Sequence, residues 1–129
     1  MDGSKNSFRG LDMAIYLARQ CGSTVTGLFV MPIYPRSFVP IRFDKKYLTK
    51  AAKEFMKRAK QHAAQNGIVF AGKAIIGKES SEIVDFAKKN KFDIIVIGAR
   101  GLGSVKEVFL GSVSNTVVHK SRVPVLVVK

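Results

Sequence analysis

A short apolar run that stops at a series of glycines constrains this chain most strongly. Residues Ile94 to Ile97 are all aliphatic, Gly98 ends the run, and further glycines follow at 101, 103 and 111. Glycine lets the backbone adopt positive φ angles and approach a ligand closely. A helix that starts after such a loop presents unpaired N–H groups and the positive end of its dipole. The stretch therefore predicts a buried strand, a loop and a helix start that together hold phosphate groups.

Hydrophobic periodicity divides the rest of the chain into alternating helices and strands. Apolar residues recur at helical spacing in some segments, whereas others are short runs rich in β-branched residues. Prolines at 32, 35 and 40 exclude a helix there and predict a loop. The predicted order is helix 7–21, strand 24–30, helix 45–66, strand 69–76, helix 80–89, strand 92–97, helix 112–120 and strand 124–128. Asp44 is the predicted N-cap of helix 45–66. The predicted apolar stripe of this helix consists of Leu48, Ala51, Ala52, Phe55, Met56, Ala59 and Ala63.

This alternation predicts an α/β fold, in which an open parallel sheet lies between helices on both faces. Ligands bind such sheets at the carboxyl ends of the strands, where the Gly98 loop is expected. An architecture of this kind begins with a strand, but only Met1 to Asn6 precede the first predicted helix. We therefore expect the first strand of the sheet to be missing.

Length and cysteine content favour a single cytoplasmic domain. A chain of 129 residues is long enough to bury a core, and we expect one domain over 1–129. The single cysteine, Cys21, cannot form an internal disulfide, which favours a reducing compartment, and we interpret it as a packing residue. No apolar run is long enough for a membrane span, and the first residues lack the apolar segment of a signal peptide.

The net charge of +13 is concentrated in one segment. Eight basic residues lie between Arg42 and Lys60, against only Asp44 and Glu54. One interpretation is a solvated helix face. The alternative is an interaction module that binds nucleic acid or an acidic partner through this face. Tyr47 is the only aromatic residue of the helix outside its apolar stripe, and one ring is not the stacking platform of single-strand binders.

Several motifs of known chemistry fail on inspection. The segment G-K-A-I-I-G-K resembles a phosphate-binding P-loop, but Glu79 stands where a serine or threonine must contact magnesium. Ser112 and Ser114 do not lie in the frame of a nucleophile elbow. His62 and His119 have no partners at the spacing of a metal site or a catalytic triad, and both are expected to be exposed on helices. We therefore expect no catalytic residues and no metal ligands from the protein.

The remaining glycine spacing resembles one family specifically. Gly98, Gly101, Gly111 and Ser112 satisfy the pattern G-x2-G-x9-G-[S/T] at every fixed position. Together with the preceding D-I-I-V-I and the terminal P-V-L-V-V, this pattern resembles the ATP-binding branch of the universal stress protein family. The D-G-S that starts at Asp2 is also similar to the segment after the family's first strand. The resemblance extends over essentially the whole chain.

The resemblance implies an adenine-nucleotide site at the carboxyl ends of the strands. The glycines after the buried strand would approach the ribose and phosphates, and the helix start after Gly111 would hold the phosphates with backbone amides and two hydroxyl donors. Arg100 would add a positive charge, Val30 would pack against the adenine, and Asp2 would contact the nucleotide or its metal. The implied ligand is ATP, with Mg²⁺ held mainly by its phosphates. The implied site residues are Asp2, Val30, Gly98, Arg100, Gly101, Gly103, Gly111, Ser112, Val113 and Ser114.

The resemblance also implies a fold and an assembly. The family has a Rossmann-like sheet of five parallel strands in the order 3-2-1-4-5, of the adenine-nucleotide α-hydrolase-like type, and it usually dimerises. A terminal strand from Val123 to Val128 would pair across the dimer. The implied function is that of a stress-response or signalling module without efficient catalysis. The absent first strand is central in that order. An upstream start, a strand donated by a partner chain, and a sheet that closes up are the three explanations left open.

Overall fold

The computed structural model describes residues 1–33, 45–102 and 109–129 of the chain. Helices and strands alternate through these residues in the predicted order. The most accurate prediction is the fourth helix, which has the predicted bounds. The elements are α1 (Lys5–Cys21), β1 (Val25–Pro32), α2 (Lys45–Gln65), β2 (Phe70–Gly77), α3 (Glu79–Lys89), β3 (Ile95–Gly98), α4 (Ser112–Lys120) and β4 (Val125–Val128).

Helix α1 begins two residues earlier than predicted because Ser4 caps it. The Ser4 hydroxyl accepts a hydrogen bond from the Ser7 amide, which satisfies one of the free donors of the first turn. The helix ends where Gly22 adopts a left-handed conformation with φ of 62°. The prediction that Cys21 is a packing residue is wrong, since this side chain is exposed. It lies in the last turn of α1, past the residues that face the core.

The first half of the chain contains the main hydrophobic core. Strands β1 and β2 pair in parallel over eight residues, from Val25 opposite Phe70 to Pro32 opposite Gly77. The predicted apolar stripe of α2 packs on this pair, and Phe55 meets Phe29 edge to face with ring centroids 5.4 Å apart. Two clusters of buried apolar residues are present among the described residues, and α1, β1, α2 and β2 supply both of them. Asp44, the predicted cap of α2, lies outside the described residues.

The second half is less completely buried. Strands β3 and β4 pair in parallel, from Ile95 opposite Val125 to Gly98 opposite Val128. A fully buried strand was predicted over 92–97, but β3 is shorter and every residue in it is only half-buried. Ile94, just before it, is 42% exposed. The reason is that β3 has a hydrogen-bonded neighbour on one side only.

The two strand pairs form separate sheets with a gap between β1 and β3. Among the described residues these two strands do not pair, so the sheet has not closed up. A cavity of about 930 Å³ lies at this gap, lined by residues of both strands. Helix α1 packs with α2, and α3 packs with α4. The pairs cover opposite faces because crossovers between parallel strands are right-handed. The predicted three-layer α/β/α fold is confirmed.

Met1 occupies part of the gap. Its terminal nitrogen donates a hydrogen bond to the Leu28 carbonyl of β1. Burial lowers the pKa of the Met1 ammonium, and the neighbouring Asp2 carboxylate offsets part of this shift. The start of the chain is therefore held inside the protein beside the unpaired edge of β1.

Within the described residues, no helix is long and apolar enough to cross a membrane.

Candidate functional site

The glycine-rich segment after β3 is closed by hydrogen bonds to a single carbonyl group. Ala99 is buried, and its carbonyl oxygen accepts from the Gly111 amide at 2.8 Å and from the Ser114 hydroxyl at 2.7 Å. The same hydroxyl lies 3.0 Å from the Gly111 carbonyl oxygen. These contacts fix the start of α4 against the end of β3. Ser114 was predicted to donate to phosphate, but here its hydroxyl donates to the backbone and shapes the site.

We expect the substitution Ser114→Ala to destabilise the fold by about 1 kcal/mol, because it removes a buried hydrogen bond to Ala99. Urea denaturation measures this loss. Ser112→Ala is the matched control, since Ser112 is exposed in the same helix turn and should change stability by less than about 0.5 kcal/mol. Equal stability of the two variants would contradict the structural role of Ser114.

The first turn of α4 presents free backbone donors. Gly111 is the N-cap and has no side chain to accept from the helix. The first hydrogen bond of the helix runs from the Asn115 amide to the Gly111 carbonyl. The amides of Ser112, Val113 and Ser114 therefore have no protein acceptor among the described residues. Together with the positive end of the helix dipole, they form a place suited to an anion.

Asp2 lies across the strand ends from this helix start. One carboxylate oxygen accepts from the Ser4 amide at 3.0 Å, and the other accepts from the Leu102 amide at 3.1 Å. A Cβ atom added to Gly101 would lie 2.7 Å from the second oxygen. Position 101 therefore needs glycine if the Asp2 carboxylate is to contact the loop. The structure thus brings together Asp2 and Gly101, which are both predicted site residues.

Gly98 permits a close approach between β3 and α1. A Cβ atom at this position would lie 2.8 Å from the Asn6 carbonyl oxygen, which belongs to helix backbone and cannot easily move. Gly10 of α1 lies at the same contact between α1 and β3, where an added Cβ atom would be 3.6 Å from the Gly98 nitrogen. The first glycine of the predicted motif is therefore required for packing at the end of the strand.

Nine of the ten predicted site residues line the same cavity. Gly103 lies outside the described residues. Val30 is buried at the end of β1, and Arg100 is half-buried where the loop leaves β3. The nine residues are Asp2, Val30, Gly98, Arg100, Gly101, Gly111, Ser112, Val113 and Ser114.

Sequence reasoning missed two groups that shape the site. They are the Leu102 amide, which holds Asp2, and the Ala99 carbonyl, which holds the start of α4. Both are backbone groups, which every residue carries, so the side-chain pattern contains no signal for them. Only the path of the chain brings them into place.

The donors around the cavity suit an anion better than a bare metal ion. Among the described residues, no group of three histidine, cysteine or acidic side chains could hold a metal. Asp2 is an acidic side chain that contacts the loop, and both of its oxygens already accept from backbone amides. The arrangement fits a phosphorylated ligand that brings its own counterion.

A sequence model of the universal stress protein family matches residues 1–129. The chain belongs to the universal stress protein family. The Bacillus subtilis universal stress protein YxiE is 32% identical over 140 residues, and the alignment covers 100% of this chain and 95% of the relative. The family therefore accounts for the whole length of the chain.

Solved structures of universal stress proteins and their relatives share the fold. The structure of the protein MJ0577 has a TM-score of 0.86 and 30% identity, with 100% of this chain and 91% of that chain covered. The structure of the Archaeoglobus fulgidus universal stress protein in complex with dAMP has a TM-score of 0.76 and 23% identity. Its alignment covers 100% of this chain and 92% of that chain.

The exposed lysines of the basic segment predicted as a possible interaction surface do not line the cavity, although Tyr47, Leu48, Ala51 and Phe55 of the same segment do. Arg42 lies outside the described residues, but the lysines at 50, 53, 57 and 60 are exposed on α2, as predicted. His119 is exposed, whereas His62 is half-buried and pairs with Asp12 of α1 at 2.6 Å. This pair joins two neighbouring helices, and within the described part of the chain it belongs to no group that could hold a metal.

Proposed function

We propose that this universal stress protein binds ATP or a closely related adenine nucleotide in the cavity at the strand ends. The observation that carries the proposal is the first turn of α4. Three amides that have no acceptor among the described residues lie at a positive helix end, and they face a cavity that is also lined by Gly98, Gly101 and Gly111. A ligand with several phosphate oxygens matches these donors in charge and in hydrogen-bonding character.

The proposed pose follows from which groups are polar and which are apolar. The phosphates accept from the amides of Ser112 and Val113 and from the exposed Ser112 hydroxyl. Gly98 and Gly101 leave room for the ribose because they have no side chains. The adenine packs against Val30, which lines the cavity near the carboxyl end of β1. The Archaeoglobus relative in complex with dAMP supports an adenine ligand.

In this proposal Arg100 and Mg²⁺ neutralise the negative charge of the phosphates. Arg100 lines the cavity beside the loop, where a guanidinium favours phosphate oxygens. Asp2 lies on the other side of Gly101 and can contact the metal or the nucleotide. Mg²⁺ prefers oxygen ligands and is held mainly by the phosphates in this proposal.

We further propose a cytoplasmic sensor or signalling module rather than an efficient ATPase. Asp2 is held by two backbone amides and is therefore poorly placed to activate a water. Self-association through Val123 and β4 is supported by the position of β4, which pairs with β3 alone among the described strands. An uncovered strand edge favours pairing with a second copy.

Isothermal titration calorimetry of the purified chain with Mg²⁺ and ATP tests the nucleotide site. We expect a dissociation constant in the micromolar range, on the order of −8 kcal/mol of binding free energy. Inorganic triphosphate is the matched control and should bind more weakly, because it lacks the adenine that packs on Val30. Absence of nucleotide binding by a chain with native circular dichroism would contradict the proposal.

The exposed lysines of α2 favour one alternative function, binding of nucleic acid or an acidic partner. A DNA duplex titrated over a salt series distinguishes the two, since phosphate contacts give a steep decline of affinity with salt. Tight, salt-dependent duplex binding together with no ATP binding would favour the alternative. No duplex binding at physiological salt would leave the lysines as a solvated helix face.

A further inference from the structure

A lysine side chain and an aromatic ring meet beside the start of α4. Phe109 lies two residues before Gly111, the N-cap of α4, and its side chain is 68% exposed. Lys129 follows directly after β4, and its ammonium nitrogen lies 4.3 Å from the centroid of the Phe109 ring. An ammonium group at this distance is attracted by the negative face of the ring. The contact therefore holds a positive charge in a defined place.

Backbone hydrogen bonds place this charge close to the first turn of α4. The Ala99 amide donates to the Val128 carbonyl at 2.7 Å, and the Ala99 carbonyl accepts from the Gly111 amide at 2.8 Å. Ala99 thus connects the end of β4 with the N-cap of α4. Because β3 and β4 are parallel, their carboxyl ends lie at the same edge of the sheet. Lys129, the residue after Val128, therefore leaves the sheet beside the helix start that presents the amides.

The order of the strands decides which part of a nucleotide can approach Lys129. The base is proposed to pack on Val30 of β1, across the gap from β3, and β4 pairs with β3 on the side away from this gap. A phosphate chain that begins near β1 and passes the start of α4 therefore points toward β4. Lys129 and Phe109 do not line the cavity itself. A single phosphate ends at the amides of α4, whereas a triphosphate extends beyond them.

The ring leaves the ammonium group able to bind a phosphate. An aromatic face attracts an ammonium without accepting a conventional hydrogen bond, so the N–H donors of Lys129 stay available. Charge-assisted hydrogen bonds to phosphate oxygens are stronger than contact with an exposed ring. Arg100 lines the cavity, whereas Lys129 lies outside it. The two cations are therefore placed to contact different phosphates of one ligand.

We propose that Lys129, held over Phe109, contacts the terminal phosphates of the ligand and selects a nucleoside triphosphate over a monophosphate. This inference rests on the proposed nucleotide function and adds the length of the phosphate chain to it. Arg100 and the amides of α4 bind the first phosphate of either ligand, and Lys129 contacts only a longer chain. The ratio of the affinities for ATP and AMP then depends on the charge at position 129.

Calorimetric titration of the variant Lys129→Met with ATP and with AMP, both in the presence of Mg²⁺, tests this proposal. Methionine keeps an unbranched side chain that packs on an aromatic ring, but it has no charge. We expect the affinity for ATP to fall about 10-fold and the affinity for AMP to change by less than about 2-fold, because only ATP loses a charge-assisted hydrogen bond. Lys129→Arg should keep the original ratio within about 2-fold, since a guanidinium also stacks on a ring and binds phosphate.

Lys120→Met is the matched control for the change of charge. Lys120 is exposed in the last turn of α4, at the opposite end of this helix from the proposed phosphates. The control should leave both affinities unchanged. Equal losses of ATP affinity in Lys120→Met and Lys129→Met would overturn the proposal, because the effect would then come from net charge. Equal losses of ATP and AMP affinity in Lys129→Met would also overturn it, since the residue would then act only by positioning the loop.

Inorganic triphosphate separates this inference from the proposed function. We expect the unmodified chain to bind it and Lys129→Met to bind it about 10-fold more weakly. If this loss is seen but ATP binds no more tightly than triphosphate, the adenine site is wrong and the role of Lys129 stands. If ATP binds and Lys129→Met changes neither ligand's affinity, the nucleotide site stands and the role of Lys129 is overturned. A folded chain that binds neither ligand would overturn both.

Discussion

Replacing Ser112 with glutamate is expected to weaken ATP binding at least about 100-fold. Ser112 is the first residue of α4, is exposed and lines the cavity. A carboxylate there would lie among the proposed phosphate positions, and like charges about 4 Å apart repel by several kcal/mol near a protein surface. A 100-fold loss corresponds to roughly 2.7 kcal/mol. Calorimetric titration of the variant with Mg²⁺ and ATP measures the effect.

This substitution separates binding from folding. Acidic residues are favourable at helix N-termini, so Ser112→Glu should leave the free energy of unfolding unchanged or slightly raised. Asn115→Glu is the matched control, since it adds the same charge on an exposed position of α4 that does not line the cavity. If both variants lose the same affinity, the effect is a general charge effect and the proposed phosphate position is wrong.

The second large effect is expected at Gly98. Substitution by alanine places a Cβ atom 2.8 Å from the Asn6 carbonyl oxygen and 2.9 Å from its carbonyl carbon. Because these atoms are backbone of α1, relief requires that the helix move away from the end of β3. We expect a loss of about 1–3 kcal/mol in the free energy of unfolding. Nucleotide affinity should fall as well, since the same movement displaces the loop.

Gly72→Ala is the control for this substitution. It lies in β2, where an added Cβ atom would meet the flexible Met56 side chain at 3.4 Å. Alanine should be tolerated there or slightly stabilising, because glycine in a strand loses more conformational freedom on folding. Urea denaturation of both variants provides the comparison. A Gly98→Ala variant as stable as Gly72→Ala would show that the contact with Asn6 is not restrictive.

The order of elements and the place of the candidate site were predictable because they depend on local patterns. The aliphatic run before Gly98 predicts the strand, and the glycine spacing after it predicts the loop and the start of α4. The apolar stripe of α2 also follows from periodicity alone. Each of these features arises from side chains whose positions repeat along one element.

Features that depend on distant neighbours were less predictable. Strand β3 was expected to be fully buried, but burial requires a neighbour on its open side that these residues do not supply. The role of Ser114 depends on the Ala99 carbonyl, which side-chain patterns do not reveal. Cys21 fits a helical pattern but is exposed in the last turn of α1. In each case the burial or the hydrogen bonding of the residue depends on the neighbours that the fold places around it, and not on the residue type alone.

The contact between Asp2 and the loop was also uncertain from sequence. This residue lies near the start of the chain, where nothing in the pattern predicts a fixed position. The Ser4 amide holds one of its oxygens, and Ser4 is itself fixed as the cap of α1. A local capping motif thus orients a carboxylate toward a loop 100 residues away in sequence.

The uneven distribution of the core has a consequence for how the molecule opens. Both clusters of buried apolar residues in the described part of the chain belong to the half that contains β1 and β2. The loop and α4 belong to the other half, which has fewer buried contacts to resist local unfolding. A nucleotide that touches both Val30 and the start of α4 would connect the two cooperative units. Nucleotide concentration would then set how often the half with β3, β4 and α4 unfolds by itself. Binding would lengthen the lifetime of the folded state of this half without changing its structure.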